Sequence, residues 1–208
     1  AVPAFAEWDV SANGGEGGWI YFKEDGAPFT GEWPGVDSTI TVRFSSWEEY
    51  TAIKAITGLA PAGYLMKGTF STPAGSGTND LTQAFAGGES FAMPHNAIID
   101  AGANALILPN ALFEGDVPFT VTGSEGGTLI VDVAENVELH NTAATLSGAL
   151  KLVKRGAGTF VAAKTGQTYT GGTVIEDGLL KCASAGTNKQ LGDYAGDIVV
   201  GADGVFDL

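Results

Sequence analysis

The sequence predicts an all-β protein: a right-handed single-stranded parallel β-helix with one short N-terminal capping helix. Three observations carry that prediction. From residue 96 onward, apolar runs of three to six residues alternate with short turns, and nothing between them has a helical period, which rules out a βαβ parallel sheet. The chain spends 31 of its 208 residues on glycine, about twice the usual share, and without a collagen-like period, so it has many corners to turn. Finally, the unit Val174-Ile175-Glu176-Asp177-Gly178-Leu179-Leu180 is echoed by Val199-Val200-Gly201-Ala202-Asp203-Gly204-Val205-Phe206. Two like units in succession fit coils stacked on one another better than the hairpins of a sandwich. Stacked coils build ladders of like aliphatic side chains and ask for Gly, Asn and Asp at their corners.

Taken in order, residues 7 to 44 read as irregular β structure. Trp19–Phe22 is a short aromatic strand between the glycine run at 14–18 and the Glu24-Asp25-Gly26 turn, and Thr39–Phe44 alternates with Ile40, Val42 and Phe44 on one face. The capping helix is expected over residues 47–57. Ser46 and Glu49 form a capping box, Trp47, Tyr50, Ile53 and Ile56 make its apolar stripe, and Gly58 with Pro61 ends it. Residues 71–80 read as a loop by composition. The chain therefore divides into an irregular, aromatic cap region over 1–95 and β-helix coils over 96–208. In the latter, strand pairs are expected at Ala97–Leu108, around an Ala-Gly corner, and strands at Phe119–Thr122, Thr128–Val133 and Val137–Leu139.

Residues 148–182 are the most regular stretch. Leu152, Lys154, Gly156, Gly158, Phe160 and Ala162 share one parity; Thr173 and Ile175, then Leu180 and Cys182 after a turn, share another. That places Cys182 inward, as a buried apolar thiol. A single cysteine excludes an internal disulfide framework.

The same stretch carries a resemblance. Lys154, Gly156-Ala157-Gly158-Thr159-Phe160, then Thr168-Tyr169-Thr170-Gly171-Gly172-Thr173, then Gly178-Leu179-Leu180, resemble the autotransporter-associated β-strand repeat, also called the passenger-associated transport repeat. That family shows K-x-G-x-G-T-L, then T-Y-T-G-G-T, then G-x-L. The resemblance runs from Gly148 to the end of the sequence. Phe160 stands where the family has an aliphatic residue, Arg155 is a bulky neighbour to Lys154, and Cys182 takes an aliphatic place. The resemblance implies a right-handed parallel β-helix within a large exported or cell-surface protein, whose repeats build or help fold a stalk. It implies structural roles for Lys154, Gly156, Gly158, Thr159, Phe160, Thr168, Tyr169, Thr170, Gly171, Gly172, Thr173, Gly178 and Leu180. Further repeats of the same protein, or a second copy meeting an open β-helix end, are the partners it implies for a chain that stops within a β unit.

Charge narrows the function classes. A net charge of −14 with only ten lysines and arginines excludes a phosphate-binding face, so nucleic acid is not expected as a partner, and an anionic membrane surface is disfavoured. No run approaches the ~20 apolar residues of a membrane-spanning helix. Ala1–Ala6 resembles the small-residue tail of a signal peptide whose basic and apolar parts are not in this chain, so export to the cell surface is expected.

The search for chemistry assigns no catalytic residue, cofactor or metal. His95 and His140 lack companions at ligand spacing, no G-x-S-x-G elbow occurs, the glycine run at 14–18 lacks the flanks of a phosphate loop, and the carboxylates form no calcium repeat. The expected function is a non-catalytic stalk or passenger segment. One alternative is a carbohydrate-binding adhesin module, since Trp8, Trp19 and Trp33 could stack on pyranose faces of surface glycans. The other is a pectate-lyase-like enzyme using the cations Lys151, Lys154, Arg155 and Lys164.

Overall fold

The structure is a computed structural model that describes residues 7–13, 18–22, 28–29, 41–46, 63–72, 74–82, 90–92, 96–183, 189–192 and 196–208. The capping helix expected at 47–57 lies outside these residues, as do Trp33, Trp47, His95 and residues 14–17 of the glycine run.

Period-two alternation in the sequence becomes inside and outside in the fold. In β8 (Ala97–Asp100) Ala97 and Ile99 are buried while Ile98 is exposed, and in β10 (Phe119–Thr122) Phe119 and Val121 are buried between half-buried threonines. Neither strand could bury its apolar side alone. Each is covered because the chain returns and lays the next strand parallel to it, in register: Ile99 pairs with Val121, and Val121 with Leu146 of β13 (Ala144–Leu146).

Repetition of that step gives a β-solenoid of about five turns, the all-β parallel β-helix that the sequence predicts. Its first sheet continues from β13, β10 and β8 into β5 (Gly63–Ser71), β4 (Thr41–Ser46) and β1 (Glu7–Asn13), all parallel. It closes with β2 (Gly18–Phe22) and β3 (Pro28–Phe29), which are antiparallel, and β7 (Ser90–Ala92) also pairs with β5. The sheet thus runs without a break from the N-terminal strands into the regular coils.

The second sheet stacks β6 (Thr78–Asp80), β9 (Ala105–Ile107), β11 (Thr128–Asp132), β14 (Lys151–Arg155), β16 (Thr173–Cys182) and β17 (Ile198–Asp207). β12 (Glu138–Asn141) and β15 (Thr159–Ala162) join it through the far half of β16. One coil takes about 21 to 23 residues: Leu146 meets Gln167, and Asp132 meets Arg155, at those separations. Among the described residues the only helical element is a 3-10 turn at Asn110–Leu112.

The interior is a set of ladders. Leu106, Leu129, Leu152 and Thr173 form one; Leu139, Phe160 and Leu180 form another, with Phe113 meeting Phe160 edge-to-face at 5.9 Å. All of these are at most 2% exposed. Burying each aliphatic or aromatic side chain stabilises the fold by roughly 1.5–3 kcal/mol.

The sequence echo is a physical stack. Val174 lies on Val199, Ile175 on Val200, Asp177 on Asp203, Gly178 on Gly204, Leu179 on Val205 and Leu180 on Phe206. A bulge between Ile175 and Asp177 sets Glu176 against Gly201 and Ala202.

Two local expectations need correction. Residues 71–80 are not all loop, because Thr78–Asp80 is β6, with Asn79 buried opposite Leu106. Cys182 is half-buried, because the pairing of β16 with β17 stops one residue earlier, at Lys181 and Asp207.

Candidate functional site

Lys154, Gly156, Gly158 and Gly178 of the signature meet where β14 turns into β15. β14 ends at Arg155, and residues 156–158 make the corner before β15 starts at Thr159. Gly156 has φ of 77°, and a Cβ there would stand 2.5 Å from the Val133 carbonyl oxygen of the preceding coil. Only glycine fits both demands. Gly158 sits against the backbone of Ala134 and Val137, and Gly178 of the next coil lies on the carbonyls of Gly156 and Gly158.

Lys154 enters this corner from inside. Its inward parity puts it in a ladder between Val131 and Ile175, both buried aliphatics, and it is 0% exposed. Its Nζ donates to the carbonyl oxygens of Arg155 at 3.0 Å, Gly156 at 2.5 Å and Asp177 at 3.0 Å. Asp177 belongs to the next coil, so the side chain ties two coils together. Burial holds the ammonium below its ordinary pKa, and the nearby Asp177 and Asp132 carboxylates act in the other direction. On the outside of the same strand, Arg155 is held by its register partner Asp132, with Nε 2.8 Å from the carboxylate.

The T-Y-T-G-G-T element forms a second corner, the one that leads into β16. Tyr169 is buried and its hydroxyl lies 2.7 Å from Thr173 Oγ1, the buried first residue of β16. Burial pushes the phenol up to about 12. Thr168 and Thr170 point outward, and their backbone N–H groups donate to Leu146 and Gly148 of the preceding coil. Gly171 and Gly172 complete the turn into β16, where an added Cβ would meet Leu150 and Asp197 backbone respectively. Thr159 starts β15, and Phe160 and Leu180 stack in the core.

Several buried polar groups escaped the sequence reading. Gln167 donates from Nε2 to the carbonyls of Ala144 and Lys164 and accepts from Leu146 N–H. Asn141 exchanges two hydrogen bonds with the Ala144 backbone. Asn104 donates to Thr72 Oγ1 at 3.0 Å and accepts from Gly77 N–H. Their signal was an amide at an inward parity beside a turn, where it satisfies corner backbone groups that no ladder reaches.

The remaining candidates are spread out. Trp8 stands in β1 opposite Val42, and Trp19 in β2 opposite Ala12; Trp33 lies outside the described residues. Of the four cations weighed for a polysaccharide groove, Lys154 is enclosed and Arg155 is paired, while Lys151 is exposed and Lys164 half-exposed. His140, on the outer surface, contacts Glu138 at 2.7 Å. An open depression of about 460 Å³ near this corner is lined by Glu135, Glu138 and residues 157–159. Among the described residues, no three His, Cys, Asp or Glu side chains are grouped as metal ligands, and no helix is long and apolar enough to cross a membrane. Comparison with protein-family models, curated proteins and solved structures found no match to the chain.

Proposed function

We propose that this chain is a non-catalytic structural segment of an exported, cell-surface protein: a solenoid stalk of the autotransporter-associated repeat type. The observation that carries the reading is the use to which the signature residues are put. Lys154, Gly156, Gly158, Tyr169, Thr173, Gly178 and Leu180 all pack against the chain's own backbone or core. A motif spent on joining coil to coil serves the rod itself. The Lys154 ammonium, with three carbonyls around it, has no N–H left for a substrate. In this reading the partners are further coils of the same kind. They would cover Ile198, Val199, Val200 and Val205 of β17, which are 41–56% exposed.

Surface proteolysis of intact cells of the native organism tests the proposal. Antibodies raised against residues 97–182 should label unpermeabilised cells, and added protease should release a resistant fragment containing those coils. Retention of the protein in the cytosolic fraction, untouched by external protease, would sink it.

A further inference from the structure

Among the residues from Phe70 onward whose side chains the structure describes, Lys154 is the only charged one that is fully buried. Its place in the coil does not by itself call for a charge, since Val131 below and Ile175 above fill the same ladder position with aliphatic carbon. The corner beside it supplies the reason. Three backbone carbonyl oxygens, from Arg155, Gly156 and Asp177, surround Nζ at 2.5–3.0 Å. A primary ammonium carries three N–H donors and no acceptor, so donors and acceptors match one to one. The glycines that bring these carbonyls together cannot gain a Cβ without striking backbone of the adjoining coil. The adjacent cation, Arg155, is directed outward onto Asp132, and the nearby Asp177 and Asp132 carboxylates add favourable charge.

We propose that this corner is a binding site for a primary ammonium ion, framed by backbone carbonyls of two successive coils, and that Lys154 fills it as a tethered ligand. Two of the three oxygens come from the coil of Lys154 and the third from the coil that follows. The site is complete only when the second coil has docked, so occupancy and coil stacking are one event. A site of this kind keeps its preference when the tether is cut. Lys154→Ala deletes three side-chain carbons and the ammonium, which together have the size and charge of n-propylammonium.

The test is rescue of the full chain carrying Lys154→Ala. The variant is refolded with n-propylammonium chloride, with tetramethylammonium chloride at equal ionic strength, which has no N–H, or with 1-propanol, which has the length without the charge. The expected result is a saturable rise in Tm of about 5 °C with n-propylammonium alone, and no such rise for the wild type, whose site is full. Equal responses to all three solutes overturn the proposal. If the variant does not fold under any condition, nitrogen-15 NMR of the wild type decides. A slowly exchanging Lys154 ammonium, coupled across hydrogen bonds to the carbonyl carbons of Arg155, Gly156 and Asp177, is expected, and a freely rotating, rapidly exchanging one overturns the assignment.

Discussion

The corners at residues 74–77 and 155–158 turn the chain with nearly the same backbone torsion and pay very different penalties for change. Gly75, at the earlier corner, has φ of 73°, and a Cβ there would meet nothing within 4 Å among the described residues. Gly156, at the later one, has φ of 77° and is pressed between Val133 O and Asp132 Oδ1, with 2.5 and 2.6 Å for an added carbon. The interior polar groups differ too. Thr72 and Asn104, both neutral, satisfy the earlier corner; a buried ammonium satisfies the later one. Torsion belongs to the residue, whereas crowding belongs to the neighbouring coil. A glycine in this fold therefore becomes indispensable through its contacts with the coil before it.

The largest expected effect breaks the crowded corner. Gly156→Ala should destabilise the chain by about 4 kcal/mol, combining left-handed strain with a carbonyl clash, read as a lower denaturant midpoint at unchanged slope. A loss no greater than that of Gly75→Ala would show that crowding adds nothing.

Next comes the phenol of Tyr169, which belongs to the motif coil and has no counterpart at the earlier corner. Its folded pKa, about 12, lies above the ordinary value of 10, so its contribution is complete below pH 10 and is lost as pH rises through 12. The loss should approach about 3 kcal/mol. Urea melts between pH 9 and 12 measure it, and Tyr169→Phe should flatten the slope across that window; an unaltered slope in the variant contradicts the assignment.

Asn104→Leu should cost about 2 kcal/mol by stranding Gly77 N–H and removing the donor to Thr72 Oγ1, whose hydroxyl still donates to Ala101, with Thr72→Val,Asn104→Leu together costing less than the sum of the two single changes. The smallest effect is Gly75→Ala, about 1 kcal/mol from torsion alone.

Much of this architecture is legible in the sequence, and what is missed has a common cause. Phe119–Thr122 is a strand with the bounds its alternation predicts, and the echo of 174–180 at 199–206 is a stack in register. These succeed because the inward residues are apolar and the period is visible. β6 is missed because its inward residue is Asn79, which reads as a turn residue yet lies buried, bonded to Ser76 and Ala105. Lys154 shares its parity with Leu152 in the sequence, but its burial and its partners are not legible there, since Asp177 becomes its neighbour only through coil stacking. Sequence reports what a strand wants to bury; which carbonyls need a donor depends on where the chain returns.

The bulge in β17 bears on how such a chain can change in length. One residue, Glu176, faces two, Gly201 and Ala202, and pairing resumes at Asp177 and Asp203 without error through Lys181 and Asp207. A miscount at the corner is therefore quarantined there. The same extra residue placed within β14, between Leu152 and Lys154, would turn every later side chain of that strand inside out. Insertions are tolerated at bends and forbidden in runs, so a solenoid of this kind can be lengthened, trimmed or spliced at its corners while its ladders keep their place.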